Sequence, residues 1–261
     1  MAKRTSDGEL AIRPLTAAHV DDVKVVTRGS WGASCWDIFP RYGPSERRER
    51  GLDEGGEQAR RAELARLARR SRAPGLVAYL GREPIGWIAV GPRFDFSRIE
   101  RSRASPPVDD VAAWVIPCIT VRRGHRGKGV AIAMIRAAVA YAERLGAPAV
   151  EAYPRAASDR THDDFAYFGT AAMFRKAGFL QIRGTLPGLP KSWTPRVTMR
   201  RVVRTRAARG ARRAHRDRPN AAGPAPARRA ASARRPRSRG SPRSARARRT
   251  GSPRRTRAPA R

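Results

Sequence analysis

Apolar and polar positions follow two rhythms over the first 203 residues, and the rhythm changes at glycines and prolines. Between Lys128 and Leu145, the positions Val130, Met134, Ala137, Ala138, Tyr141 and Leu145 recur every three or four residues. Ile132, Ile135 and Val139 widen the stripe. That period predicts a helix with one face laid on a sheet. Before it, Trp114 to Val121 is an apolar run interrupted by Pro117, and after it Ala149 to Tyr153 reads as another strand. A basic, glycine-containing turn, Arg122 to Gly129, joins the first strand to the helix.

The flanks repeat the alternation in shorter pieces. Leu10 to Leu15 predicts a strand, and Thr16 is placed to cap a helix over Ala17 to Thr27. Gly29 to Gly43 has no period but holds Trp31, Cys35, Trp36 and Phe39. These either line a substrate cavity or pack under the sheet edge. Glu57 to Arg72 reads as a helix. Gly75 to Leu80 and Ile85 to Val90 flank the turn Gly81-Arg82-Glu83-Pro84, which predicts a hairpin ended by Pro92. Phe94 to Arg103 is a short basic helix or loop. Pro154 to Tyr167 is a polar loop with Asp159, His162, Asp163 and Asp164. Phe168 to Ala177 is a short helix stopped by Gly178, and Phe179 to Gly184 and Arg196 to Val203 are the last strands. Hairpins together with a strand–helix–strand crossover predict an α/β (α+β) fold, a mixed sheet with helices on both faces.

Charge divides the chain. It has 56 Lys and Arg against 22 Asp and Glu, a net +34; from Arg204 onward 21 arginines face one acid, so that stretch carries +20 and residues 1–203 carry +14. Residues 204–261 contain no aromatic or large aliphatic side chain, so nothing there offsets the entropy of folding, and a disordered tail is expected. The tail reads either as a polycationic arm that binds nucleic acid without sequence preference, or as an out-of-frame translation of GC-rich DNA. Residues 10–203 are long enough for one domain with its own core. Two cysteines, Cys35 and Cys118, make neither a disulfide framework nor a zinc site. With no leader-like N-terminus and no long apolar run, a cytoplasmic protein without membrane association is expected.

The turn carries the chemistry. A helix N-terminus presents unpaired N–H groups and a partial positive charge, and Gly127 and Gly129 remove side chains where an anion would approach. Arg122, Arg123, Arg126 and Lys128 add charge, so a phosphate-bearing ligand is expected, pyrophosphate above all. A Walker A loop fails, because Lys128 is followed by Gly129 and Arg122 stands where its first glycine belongs. The dinucleotide GxGxxG fails at Ile132.

The sequence Arg126-Gly127-Lys128-Gly129-Val130-Ala131, an RxxGxA between strand and helix, resembles the acyl-CoA-binding motif of the GNAT superfamily of N-acetyltransferases. Met173 to Phe179 (MFRKAGF) resembles that family's following helix and Gly-Phe turn, and the likeness spans about Leu10 to Val203. It implies a GNAT-like central, mixed, splayed sheet flanked by helices. It also implies acetyl-CoA as co-substrate, with no metal. The pyrophosphate would be held by Arg126, Gly127, Lys128, Gly129, Val130 and Ala131, and the pantetheine arm by main-chain groups of Ile119, Thr120 and Val121. A bulge near Pro117 would splay the strands, with the acetyl group between them. An amine would attack the thioester directly, with a main-chain N–H steadying the oxyanion. Many members carry a tyrosine acid where this chain has Phe174; Tyr153 and Tyr167 are possible substitutes. Glu151 is the first choice for the base, ahead of Asp109, Asp110 and His162, and Cys118 faces either core or cleft. Three functions follow: an N-acetyltransferase acting on a primary amine of a small molecule or protein, a CoA-binding protein without chemistry, and a nucleic-acid-associated protein acting through its tail.

Overall fold

In the computed structural model, the extended stretch through Pro117 belongs to two sheets at once. β1 (Leu10–Pro14), β2 (Gly75–Leu80), β3 (Glu83–Ala89) and β6 (Ile119–Val121) form one antiparallel sheet in the order β1-β2-β3-β6. β4 (Gly91–Pro92), β5 (Trp114–Ile116), β7 (Ala149–Ala152), β8 (Leu180–Arg183) and β9 (Thr198–Val202) form the other, in the order β4-β5-β7-β9-β8. The chain changes partner between Ile116 and Ile119. Up to Ile116 it runs parallel to β7, and from Ile119 it runs antiparallel to β3. The structure describes residues 8–156, 167–190 and 193–203, all within one compact unit. Residues 157–166 of the predicted polar loop, with Asp159, His162, Asp163 and Asp164, like the whole 204–261 tail, lie outside the described residues.

Seven helices accompany the sheets among the described residues: α1 (Asp21–Thr27), α2 (Ile38–Arg41), α3 (Pro44–Glu49), α4 (Gly56–Ala68), α5 (Ser97–Glu100), α6 (Val130–Arg144) and α7 (Ala171–Lys176). α6 buries Val130, Met134, Ile135, Ala138, Val139, Tyr141 and Ala142, the predicted stripe, against both sheets. Gly86 explains how closely it lies: a Cβ there would stand 2.4 Å from the Met134 sulfur. On the other face of the first sheet, α1 and α4 bring Val20, Val23, Val26 and Leu64 against Val77, Trp87 and Ala89. The predicted hairpin is present, but Glu83 and Pro84 belong to β3 rather than to the turn, and the pairing from Gly75↔Ala89 to Leu80↔Glu83 shifts by one residue between Ala78 and Tyr79.

Several boundaries moved. Thr16 does not cap the first helix. Its hydroxyl meets the His19 ring at 2.9 Å instead, and a 3-10 turn, Ala17–His19, precedes α1. α6 begins at Val130 rather than Lys128, because Gly129 takes a left-handed conformation as its cap (φ 80°). The aperiodic stretch from Gly29 to Gly43 contains α2, and Pro92 pairs with Trp114 rather than simply ending the hairpin.

Candidate acyl-transfer cleft

Where the two sheets part, a cleft of about 870 Å³ opens along β6. β6 is the edge strand of its sheet, so its unpaired edge leaves main-chain N–H and C=O groups without strand partners. Ile119, Thr120 and Val121 line the cleft, and the wall continues through Arg126, Gly127, Gly129, Val130 and Ala131 at the start of α6. The structure thus brings eight of the nine expected donor-binding residues to one surface; Lys128 is exposed and not part of the wall. Gly127 and Gly129 have φ of 76° and 80°, and a Cβ on either would meet nothing within 4 Å. Conformation rather than crowding requires glycine there. Arg126 donates from Nε to the Val121 carbonyl at 2.8 Å, tying the turn back to the strand. The first N–H groups of α6 have no intrahelical acceptor, which leaves them for an anion.

The expected catalytic pair lies elsewhere. Val150 and Ala152 face α6, so strand alternation turns Glu151 and Tyr153 to the opposite side, toward Arg93, Phe96 and Ile99. Glu151 is 2% exposed. Its Oε1 accepts from Arg200 at 2.6 and 2.9 Å, and its Oε2 accepts from the Tyr153 hydroxyl at 2.8 Å with Arg93 at 3.7 Å. Arg200 also grips Asp109 through two bonds of 2.6 and 2.7 Å, which holds that carboxyl below its ordinary range. Burial, then the Glu151 charge, pushes the Tyr153 phenol far up. Neither residue lines the cleft, and both belong to a buried ion network that fastens β7 to β9 and to the 93–105 segment. The expectation of Glu151 as base and Tyr153 as acid therefore does not match the geometry. Phe174 is fully buried, edge-on to Phe179 at 5.1 Å between centroids, and is a core residue.

Other groups stand at the far end of the cleft. Cys118, just before β6, and Cys35, Asp37, Phe39, Arg98, Tyr167 and Arg196 all contribute to its wall. Among the described residues Tyr167 is the one tyrosine there, and burial pushes its phenol up to about 12. Burial likewise raises both thiols, Cys35 to about 11 and Cys118 well above its ordinary value. Cys118 is half-buried as a residue, packed against the core that contains Trp87, and its thiol stays protonated at neutral pH. Trp36 and Asp37 both have positive φ, 49° and 61°, in the left-handed region. Such strain costs about 1–3 kcal/mol per residue and is held by its surroundings. Here the Asp37 carboxylate accepts from Arg41 Nε at 2.9 Å, and Arg41 in turn donates to the Pro74 carbonyl at 2.6 Å. Burial raises Asp37 to about 6 against the pull of Arg41, and the Trp87 indole helps its charged form only from beyond hydrogen-bonding geometry. Its side chain has no solvent exposure, so it braces the wall from behind.

Of the aperiodic loop, Cys35 and Phe39 reach the cleft while Trp36 is buried in the core; the side chain of Trp31 lies outside the described part. Sequence reasoning missed Arg98, Arg196 and Asp37. The first two are single basic residues in a chain crowded with arginine, and nothing local distinguishes them. Asp37 follows Cys35 and Trp36 in a stretch without period.

The sequence profile of the Acetyltransferase (GNAT) family matches residues 33–169, which include the split strand, the turn and α6. The chain belongs to the GNAT family of acetyltransferases, and its fold, mixed α/β with parallel and antiparallel strands flanked by helices, is the family's. Among solved structures it is similar to Ard1 from Thermoplasma volcanium (18% identity, 74% of this chain and 97% of that one, TM-score 0.43). It is also similar to histone acetyltransferase HPA2 and related acetyltransferase from Corynebacterium glutamicum (16%, 74% and 96%, 0.45). A GNAT-family acetyltransferase of Streptococcus pneumoniae aligns with 15% identity over 75% of this chain and 99% of that one, at a TM-score of 0.44. A comparison with curated proteins returns no match.

Proposed function

We propose that residues 10–203 transfer an acetyl group from acetyl-CoA to a primary amine by direct attack. The observation that carries this reading is the continuity of the cleft from the α6 turn along β6 to Cys118. Pyrophosphate lies against the free N–H groups at Gly127 to Ala131, and the pantetheine arm runs along the open edge of β6 as an added strand would. The thioester then reaches the point where the sheets separate. The neutral amine nitrogen bonds to the thioester carbon, the C–S bond breaks, and the amide keeps the acetyl group. Tyr167, protonated at neutral pH, supplies the proton to the departing thiolate and regains one from solvent. The amine's own proton leaves to solvent, since the one carboxylate in the described wall, Asp37, is fully buried. An acyl-cysteine intermediate is disfavoured, because burial keeps both Cys35 and Cys118 as thiols.

The test is thermal unfolding of the full chain with acetyl-CoA, followed by CoA release against an amine panel. At a hundredfold excess over Kd a ligand stabilises by about 2.7 kcal/mol, a rise of roughly 5–11 °C for a domain of this size. No rise at millimolar acetyl-CoA would sink the reading. Binding without CoA release from any amine would leave a CoA-binding protein without chemistry.

A further inference from the structure

Arg196 stands apart among the charged groups of the cleft. It lies just before β9, in an isolated antiparallel bridge with Arg155, and its guanidinium sits over the Phe168 ring, 3.5 Å from the centroid. Its Nε is buried without an acceptor. No carboxylate among the described residues pairs with it, and of the described arginines in the cleft wall it is the one with a buried donor left without an acceptor. Burial, with a smaller push from the neighbouring Arg98 charge, disfavours its protonated form; the Tyr167 phenolate would favour it. A half-buried guanidinium with an unmet donor is costly until an anion arrives, and its planar fork suits a carboxylate or a phosphate.

Its place separates it from the donor's phosphates. Arg196 and Arg98 both act on Tyr167, which also feels Cys118 and Cys35. That cluster gathers at Cys118, and the three residues of β6 put about 10 Å of strand between it and the α6 turn. The balance of charge agrees. Five arginines line the cleft among the described residues, against Asp37, whose side chain is sealed behind the wall. A polyamine or other polycation would meet repulsion there without compensation.

We propose that Arg196 recognises the acceptor: it binds an anionic group, carboxylate or phosphate, carried by the primary amine that is acetylated. The enzyme then selects anion-bearing amines over polyamines and neutral amines. This rests on the acyltransferase reading of the same cleft and adds the class of acceptor.

Two matched pairs test it on the full chain: phenylalanine against phenethylamine for the carboxylate, and glucosamine 6-phosphate against glucosamine for the phosphate. CoA release gives kcat/KM, and thermal unfolding with and without acetyl-CoA gives binding. In at least one pair the anionic member should stabilise the protein and be used about tenfold better or more, the worth of one charge-assisted hydrogen bond. Arg196→Gln should erase that preference with the acetyl-CoA shift intact. Arg196→Lys, which keeps the charge and the stem, should retain it in part and guards against a misfolded Gln variant. The proposal is overturned if the neutral members stabilise equally well in both pairs, or if the preference survives Arg196→Gln. If acetyl-CoA itself fails to bind the wild type, the acyltransferase reading falls, while stabilisation by the anionic compounds alone still judges Arg196.

Discussion

Glu151 offers the sharpest separation between a structural and a catalytic carboxylate. Replacing it with Ala takes Oε1 from Arg200, which keeps Asp109, and Oε2 from Arg93 and the Tyr153 hydroxyl, leaving Arg93 with Glu100, Tyr153 and the Ile99 and Ser105 carbonyls. The Arg200 and Arg93 side chains are 11% and 10% exposed, so each charge is left with little water to take over. Because each arginine keeps another acid, neither charge is orphaned, and the loss is about 1.5–3 kcal/mol, the worth of hydrogen bonds to a charged group. At roughly 2–4 °C per kcal/mol for a domain of this size, Glu151→Ala should lower Tm by between about 3 and 12 °C. Glu151→Gln keeps the shape and one acceptor oxygen and should lose less. Calorimetry of wild type and both variants, paired with CoA release at 20 °C, reads both quantities. The structural role requires that protein still folded at 20 °C transfer acetyl groups within about fivefold of wild type, because removing a general base would cost about 10²–10⁴. A Gln variant with unchanged Tm and a hundredfold loss of kcat would refute this reasoning and return Glu151 to the catalytic centre.

Three further outcomes follow from the same geometry. Gly129→Val forces a β-branched residue to φ 80° at the cap of α6; it should cost at least about 1–2 kcal/mol and weaken acetyl-CoA binding, measured by titration, by tenfold or more. Cys118→Ala should keep acetyl transfer within a few-fold, and intact-mass spectra during turnover should show no acetylated Cys118; a burst of that adduct would contradict direct attack. Asp37 is raised in the folded state to about 6 from an ordinary 3.8, so the folded protein binds the extra proton between those values and its contribution to stability falls as pH rises through that window. Denaturant melts at pH 5 and pH 7 should therefore show wild type gaining on Asp37→Asn at the lower pH, and the opposite trend would mean that Arg41 holds the carboxyl down.

The hairpin, α6 and the strand on either side of it were legible because each has a period that a single face explains. The donor turn was legible because glycine at positive φ leaves a mark in the sequence. The opposite end of the cleft left none. Its groups come from α2, α5, β6 and the segments before α7 and β9, and only the parting of the sheets brings Cys35, Cys118, Tyr167 and Arg196 to one surface. Glu151 shows the limit from the other side. The alternation of Val150, Glu151 and Ala152 already sets the glutamate opposite to the helix-facing residues, but which face borders the cleft depends on where a neighbouring strand changes partner. Phe174 was read as a missing acid and is a core aromatic.

Pro117 sits at that change of partner, and it is buried. An ordinary residue at the junction would carry an N–H into a place where the neighbour on one side has already been left and the neighbour on the other is not yet reached. A buried donor of that kind must either go without a partner or pull the strands together to find one. Proline has no N–H to satisfy, so the rift between the sheets opens where the backbone has nothing to lose by it. The gap between the sheets is kept from healing by an atom the chain does not have.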